Sequence, residues 1–449
     1  MTLTRRAFVT VFMAGGVAAG LPAGAAVRVP AGGALRLPLP APRRVLDPAR
    51  AVDAADVWAL ALVHDTLATP LAGGGTSYPL LATPPVLDRA DPRVATVTLR
   101  PGLVLSSGVA VDARAVVAGW MASRRASALA EMVFAMCDTA APFEARSERE
   151  IRVRLAAPAL LDEVLAASPL SVTGARGAGI GPFVPRGGDP SGLAHNPRCP
   201  MGAPYLDRVD LVPARERNEE LRAFVTGALD GSWRGHALYD VDRPAEVVRG
   251  APAGVVGMVP TPGGSLDDTA HARALERALG PLSAGPDAPL AAVDFGGPGV
   301  GGRDGDVAAL AGAVPRVRVA REPADGLLAV VAERVVALLD AVGIRVALVG
   351  MGEPADTVLR AIAPLGADGA LAVAAFMAVA GNPAGASAAA RTPRGARAAV
   401  VAGAWQGLTA AVLGRAVPAL HLRAGVRDAR FDAAGRLLLG DAWVARVRA

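Results

Sequence analysis

The chain has 449 residues, of which 52% are hydrophobic and only 4% aromatic, and its formal net charge is +5 at pH 7. All 46 basic residues are arginines. They are scattered, with no basic stripe interleaved with aromatic residues, and this argues against nucleic-acid binding. Cys137 and Cys199 are too few for a disulfide scaffold or a zinc cluster, and their spacing leaves open whether they pair.

The chain begins with the pattern of an export signal. Arg5 and Arg6 precede an apolar run over residues 8–21, and the small residues AGA ending at Ala25 offer a cleavage site. The stretch TRRAFV is similar to the twin-arginine signal, which exports folded proteins. An ordinary secretory signal with two arginines is the alternative. Residues 1–25 therefore predict a periplasmic protein, cleaved near Ala25.

Beyond the signal, helical and strand patterns alternate along the chain. The spacing of apolar residues predicts the following elements in the first half: a helix from Asp53, a strand over 94–99, a helix from Ala113 to about Arg125 capped by Asp112, a strand over 151–155, and helices over 162–167 and from Asn218 to about Leu229. The second half predicts a helix over 270–279 behind Asp267 and Asp268, a weakly patterned Ala/Gly-rich segment over 365–400, and short strands over 420–423 and 437–439. This alternation predicts an α/β protein with more than one lobe.

Catalytic patterns are scarce in the sequence. It has no G-x-S-x-G, no P-loop lysine, no S-x-x-K and no H-E-x-x-H. One alternative is a dinucleotide site, because Gly297, Gly299 and Gly302 have the G-x-G-x-x-G spacing and Glu322 follows about twenty residues later. Pro298 inside this pattern disfavours that interpretation, which would make the protein an exported dinucleotide-dependent oxidoreductase.

A series of segments carries a more specific signal through its order. The first is LDPARAVDAADVWALALVHDTL from Leu46, and the second is YPLLATPPVLDRADPRVATVTLRPGLVLSSGVAVDARAVVAGW from Tyr78. GIGPFVPRGG and HNPRCPMGAPYLDRVDL follow, and VAERVVALLDAVGIRVAL comes later. In this order they resemble the family 5 extracellular solute-binding proteins, the peptide-, dipeptide- and nickel-binding subunits of ABC importers. The resemblance covers nearly the whole mature chain.

This resemblance implies a two-lobed periplasmic binding protein fold of type II, with the extra small domain of the peptide-binding class. The implied divisions are 26–70 and 173–248 for lobe I, 71–172 for the small inserted domain, 249–415 for lobe II, and 416–449 for the return to lobe I. Two such lobes close over a ligand about a hinge.

The resemblance also suggests where the ligand lies. The loop after LDP should face the cleft, which makes Val52, Asp53, Ala54 and Trp58 candidates, although Trp58 can equally be a packed helix residue. In the second lobe the candidates are Asn382 and Trp405. The family's ligand segment in that lobe should lie near 370–395, where AVAAFMAVAGNPAGASAAART has lost almost all polar and aromatic groups.

The expected function is that of a monomeric binding protein that delivers a peptide-like or other small organic solute to a membrane ABC permease. No catalytic residue, cofactor or metal is expected. The eroded segment near 370–395 keeps a second alternative open, namely the same fold acting as a sensor or scaffold without transport.

Overall fold

The computed structural model describes residues 31–39, 47–138, 140–187, 189–213, 217–233, 245–283, 289–293, 305–321 and 326–445. The predicted export signal lies outside these ranges. So do Gly297, Gly299, Gly302 and Glu322 of the dinucleotide pattern. Among the described residues, no helix combines the length and apolar character needed to cross a membrane.

The strands alternate with helices along the whole described chain. The strands are β1 (Ala34–Leu39), β2 (Thr69–Pro70), β3 (Thr76–Ser77), β4 (Val86–Leu87), β5 (Val94–Thr98), β6 (Phe143–Ala145), β7 (Glu150–Arg154), β8 (Phe183–Arg186), β9 (Asp189–His195), β10 (Arg208–Pro213), β11 (Gly231–Ser232), β12 (Ala245–Arg249), β13 (Ala253–Pro260), β14 (Leu290–Ala291), β15 (Arg316–Arg321), β16 (Arg345–Gly350), β17 (Thr357–Ile362), β18 (Ala411–Ala416), β19 (Ala419–Arg423), β20 (Val426–Arg427), β21 (Arg430–Phe431), β22 (Leu437–Leu438) and β23 (Trp443–Val444).

The α-helices are α1 (Ala54–Leu60), α2 (Ala113–Ser123), α3 (Ala128–Ala135), α4 (Leu161–Ala166), α5 (Arg217–Thr226), α6 (Thr269–Ala278), α7 (Gly305–Ala313), α8 (Gly326–Ala341), α9 (Gly369–Val379), α10 (Pro383–Arg391) and α11 (Arg394–Trp405). Short 3₁₀ turns lie at Pro158–Leu160, Ser168–Leu170, Ala175–Gly177 and Gly280–Ser283. The caps predicted from the sequence are present, since the side chain of Asp112 accepts from Ala115 N and that of Asp268 from Ala270 N, each at 2.7 Å. The helix predicted from Asp53 ends earlier than its apolar pattern, at Leu60.

Three larger sheets organise the chain. The first has the order β1-β10-β9-β8, and the second, smaller sheet has the order β4-β5-β7-β6. The third is a six-stranded mixed sheet, β14-β18-β13-β17-β15-β16, in which β15 pairs in parallel with both β16 and β17. A three-stranded sheet, β11-β19-β12, joins residues before and after the six-stranded sheet in the chain.

The two faces of the six-stranded sheet contact different hydrophobic clusters. Along β13, Val256 and Met258 point into a cluster formed with α6, α7 and α8, whereas Val255 points into the large cluster that includes α3 and α9. Because side chains alternate along a strand, β13 contributes side chains to both hydrophobic clusters. Gly257 lies on the second face, and a Cβ there would meet Phe376 Cζ at 2.4 Å and Ala411 O at 2.6 Å.

Two of the segments that carry the family resemblance meet in the first sheet. The backbone N–H of Asn196 donates to Pro182 O, and its Nδ2 donates to Gly181 O, both at 2.8 Å. A Cβ on Gly181 would lie 2.7 Å from the carbonyl of Val63, so only glycine fits this close approach. These contacts join the segments around Gly181, Asn196 and Val63.

Cys137 and Cys199 are both free and buried. Burial raises the pKa of the Cys137 thiol to about 12 and that of Cys199 to about 11. Thiols held neutral in this way are poor nucleophiles. The lobe boundaries drawn from the sequence stay a prediction.

Candidate functional site

Residues 52–54 lie at a junction between the first half of the chain and the six-stranded sheet. Val52 O accepts from Ala363 N at 2.8 Å, and Asp53 forms an antiparallel bridge with Ile362. Asp53 has extended backbone and begins α1, but its side chain does not cap the helix. It instead accepts from Nη2 of Arg360 at 2.8 Å. Three of the six predicted site residues therefore lie together against β17.

The Asp53–Arg360 ion pair is partly open to solvent, with side-chain exposures of 44% and 30%. An ion pair this exposed contributes little to stability, about 0–1 kcal/mol. Its charges are consequently available to a competing group. A ligand carboxylate would fit the guanidinium of Arg360, and a ligand ammonium would fit Asp53.

Arg360 was not among the residues predicted from the sequence. Its position in the stretch TVLRAI carries a signal, because Leu359 and Ala361 are buried on one face while Arg360 lies on the other. Trp58 lies within α1, and its side chain is outside the described part of the structure.

Asn382 lies at the start of α10, where its side chain acts as a cap. Its Oδ1 accepts from Gly385 N at 2.9 Å, and its Nδ2 donates to Ala404 O at 3.2 Å. Asn382 also lines an open cleft of about 550 Å³ at the end of β13. The cleft is lined by Pro260, Pro262, Asp267, Ala380, Gly381, Asn382, Gly407, Leu408 and Thr409.

Trp405 ends α11 and is only 6% exposed. Its ring packs on Phe376 with a centroid separation of 6.5 Å, and the guanidinium of Arg273 lies 4.6 Å from its centroid. Arg273 also donates to the carbonyls of Leu408 and Ala410. Arg273 therefore connects Trp405 with Leu408, which lines the Asn382 cleft. The structure brings Asn382 and Trp405 together, at a place separate from residues 52–54.

The segment expected to carry ligand groups, near 370–395, forms α9 and α10 of a three-helix unit. We call α9, α10 and α11 the helical unit (residues 369–405). Residues 370–377 are all buried, at 5% exposure or less. α9 packs on β13 on one side, and α9 and α10 pack on α3 on the other. Apolar contact with α3 thus takes the place of an open, polar ligand surface along α9.

A buried ion-pair cluster holds the helical unit to α4. Arg397, fully buried on α11, donates from Nη1 and Nη2 to the two carboxylate oxygens of Glu163 at 3.0 and 2.7 Å. It also bonds Asp368 and, through Nε, Ala389 O at 3.2 Å. Burial alone would lower the pKa of Arg397, but the bonds to Glu163 and Asp368 raise it above its ordinary value. The guanidinium is therefore permanently charged and already neutralised.

A second buried polar group lies beneath residues 64–67. Arg436 donates to Asp432 at 2.6 Å and to Thr66 Oγ1 at 2.8 Å. Burial raises the pKa of nearby Asp65 to about 6. Among the described residues, no group of three or more His, Cys, Asp or Glu side chains could hold a metal ion.

Comparisons with known proteins show which solved structures this architecture resembles. No protein-family model matches the sequence, and no curated protein matches it. In three dimensions the chain is similar to the pheromone receptor PrgZ, described with its mode of peptide binding, with 12% identity and a TM-score of 0.73 over 93% of this chain and 100% of PrgZ.

Two further solved structures agree. NikA of Staphylococcus aureus, in complex with Ni(L-His)₂, has 10% identity and a TM-score of 0.70 over 92% of this chain and 100% of NikA. The ABC-transporter-associated periplasmic binding protein DppA of Helicobacter pylori, in complex with the peptide STSA, has 15% identity and a TM-score of 0.69 over 93% and 99%. The chain therefore has the α/β fold of the family 5 peptide- and nickel-binding proteins, as the sequence resemblance predicted.

Proposed function

We propose that this protein is the substrate-binding subunit of an ABC-type importer, which encloses a peptide-like or other small organic solute and delivers it to a membrane permease. The observation that carries the proposal is the extent of the structural correspondence. It takes in 93% of this chain and all of PrgZ, including the parts that a shared lobe alone would not match. Binding without chemistry agrees with the lack of a catalytic motif in the sequence.

We place the solute at the junction formed by Val52, Asp53 and Ala54 with Arg360, and we propose that Trp58 of α1 also contacts it. A solute with a carboxylate or an ammonium group would exchange with one partner of the Asp53–Arg360 pair. Little free energy is lost when a solute replaces one partner of this pair, because the pair is partly solvated. The Asn382 cleft, connected to Trp405 through Arg273, extends the proposal to a second contact region.

We also propose that the protein acts in the periplasm, after export through the twin-arginine signal and removal of residues 1–25. Replacing Arg5 and Arg6 together by lysine should keep the chain in the cytoplasm. Export of this variant at the normal level would point to an ordinary secretory signal.

Native mass spectrometry of the protein purified from the periplasm tests the binding function. A bound solute should add a discrete mass to a chain that begins near Ala26. A mixture of di-, tri- and tetrapeptides, added to protein stripped of solute, should raise its melting temperature. A bare chain that no peptide in the mixture stabilises would contradict peptide binding.

Two matched variants test the position of the solute. Arg360→Gln should weaken the peptide-induced rise in melting temperature. Arg318→Gln should not, although Arg318 is on the neighbouring strand β15 and also forms an exposed ion pair, with Asp356. Equal effects of the two variants would place the solute elsewhere.

A second candidate is the same fold acting as a sensor or scaffold without transport. The buried helical unit favours it, because α9 contacts α3 where the resemblance predicts ligand groups. Small-angle X-ray scattering distinguishes the two functions. A transport subunit should become more compact when peptide is added, whereas a scaffold should keep one radius of gyration with and without peptide.

A further inference from the structure

A second cavity lies where the small sheet meets the C-terminal end of α10. It encloses about 380 Å³ and is lined by Asp91, Arg93, Val94, Cys137, Asp138, Arg154, Leu155, Ala156 and Arg391. We call it the Arg391 pocket. It is distinct from the junction at Asp53 and from the Asn382 cleft, with which it shares no lining residue.

The floor of the Arg391 pocket is held by backbone hydrogen bonds. Leu155 N donates to Arg93 O at 2.8 Å, and Asp138 N donates to Arg154 O at 2.9 Å. Cys137 beneath them is buried and bridges to Leu155. Arg154 and Arg93 are therefore presented by a fixed sheet edge, and Arg391 is presented by the last turn of a helix that packs on α3.

The arginines that line the Arg391 pocket differ in whether they form an ion pair. Arg93 is neutralised by Asp91, which accepts from its Nε at 3.1 Å and its Nη2 at 3.2 Å. Oδ1 of Asp138 accepts from the backbone N–H of Ala140 at 3.0 Å. Within the described ranges, Arg154 and Arg391 form no ion pair, although the charge of Arg154 is felt by Asp91 and Glu144.

The chemistry of two unpaired guanidinium groups selects the ligand. Guanidinium forks bind carboxylates and phosphates through paired N–H···O bonds, and they do so best in a recess that excludes part of the solvent. We propose that the Arg391 pocket binds a small molecule bearing a carboxylate or phosphate group, held between Arg154 of the small sheet and Arg391 of the helical unit. Such a ligand would link these two parts of the fold.

Isothermal titration calorimetry with citrate and with inorganic phosphate tests this site, in buffers matched in ionic strength with sodium chloride. At least one probe should bind with a Kd of about 1 mM or tighter. Binding of citrate alone would indicate a carboxylate ligand, and binding of phosphate alone a phosphate ligand. Binding of neither would overturn the proposal.

Single-site variants locate the binding. Arg154→Gln and Arg391→Gln should each weaken the bound probe by about tenfold or more, because each removes a charge-assisted contact. Arg149→Gln makes the same charge change just before β7 and outside the pocket, and this variant should bind like the unmodified protein. Melting temperatures without probe show that each variant folds. Equal weakening in all three variants would reduce the effect to general electrostatics and reject the site.

Arg391→Lys supplies a further measure that a purely structural role would not affect. Lysine keeps the charge at the end of α10 but lacks the planar fork. Stability should therefore be retained while affinity for the probe falls. Full affinity in this variant would contradict a bidentate contact.

Discussion

Two ionic contacts join the first half of the chain to the six-stranded sheet and its helices, and they differ in kind. Asp53–Arg360 is partly solvated, with exposures of 44% and 30%. Glu163–Arg397–Asp368 is buried, with Arg397 completely enclosed. The charges of the first are accessible to solvent, which our proposal for the solute requires, whereas the second is enclosed within the protein and fixes the helical unit. The fold thus combines a contact suited to binding with one suited to permanent attachment.

The largest effect is expected from breaking the buried cluster. Glu163→Gln removes two charge-assisted hydrogen bonds from the buried guanidinium of Arg397 and leaves Asp368 as its carboxylate partner, and it should lower the free energy of unfolding by about 1.5–3 kcal/mol. Urea denaturation measures this. Replacing the cluster by Glu163→Met, Arg397→Met and Asp368→Asn together should restore part of the loss, because no charge is then buried. If Glu163→Gln lowered the free energy of unfolding less than Asp53→Asn does, the proposed difference between the buried cluster and the exposed pair would be wrong.

The next largest effect is expected from disturbing the packing of the helical unit on the six-stranded sheet. Gly257→Ala pushes a methyl group against Phe376 and should cost about 1–3 kcal/mol by overpacking. Gly312→Ala on α7 is the matched control, since nothing lies within 4 Å of its Cβ position. The control should be neutral or stabilising. Phe376→Leu should lower the free energy of unfolding less in the Gly257→Ala variant than in the unmodified protein. If the two losses simply add, α9 does not pack on Gly257.

Asn382 distinguishes a cap from a ligand contact within the helical unit. Asn382→Ala removes the cap of α10 and should cost about 1 kcal/mol of unfolding free energy, while Asn382→Ser should retain most of it. Peptide-induced stabilisation should be measured on both variants. A serine variant that keeps stability but loses the peptide response would show that Asn382 also contacts solute.

The smallest effect on stability is expected at the exposed pair. Asp53→Asn should cost about 0–1 kcal/mol, and that cost should shrink as sodium chloride is raised, because salt screens exposed charges. The loss in Glu163→Gln should change little with salt. Urea midpoints at low and high salt compare the two directly, and a strongly salt-dependent Glu163→Gln would indicate that the cluster is solvated.

Local patterns predicted the elements because they act over a few residues. The alternation VATVT predicts β5, and Asp112 and Asp268 act as N-caps as their positions before apolar runs predict. The ordered segments that resemble the family 5 proteins also predicted the fold, although identity to the solved structures named above is only 10–15%.

The candidate site was predicted only in part. Val52, Asp53 and Ala54 lie together against β17, and their role in binding stays a prediction. Arg360, the partner of Asp53, is more than three hundred residues away in the chain. No periodicity within α1 or β17 could reveal that pairing. Trp405 is buried in the structure, and Asn382 caps a helix and also lines a cleft. Their contact with a ligand stays a prediction.

The sequence by itself determined many of the helices and strands and the caps at Asp112 and Asp268, because these depend on neighbours within one or two turns. It did not predict the three helices of the helical unit, whose apolar composition lacks a clear period. Tertiary structure decided which charges are enclosed and which are open to solvent. No local feature of the sequence separates the environments of Arg397 and Arg391, and the alternation around Arg360 does not identify its partner. Arg397 is neutralised in a core, Arg391 lines a pocket and has no ion partner within the described ranges, and Arg360 forms a partly solvated pair. Only long-range packing sets the solvation and the partners of a charge.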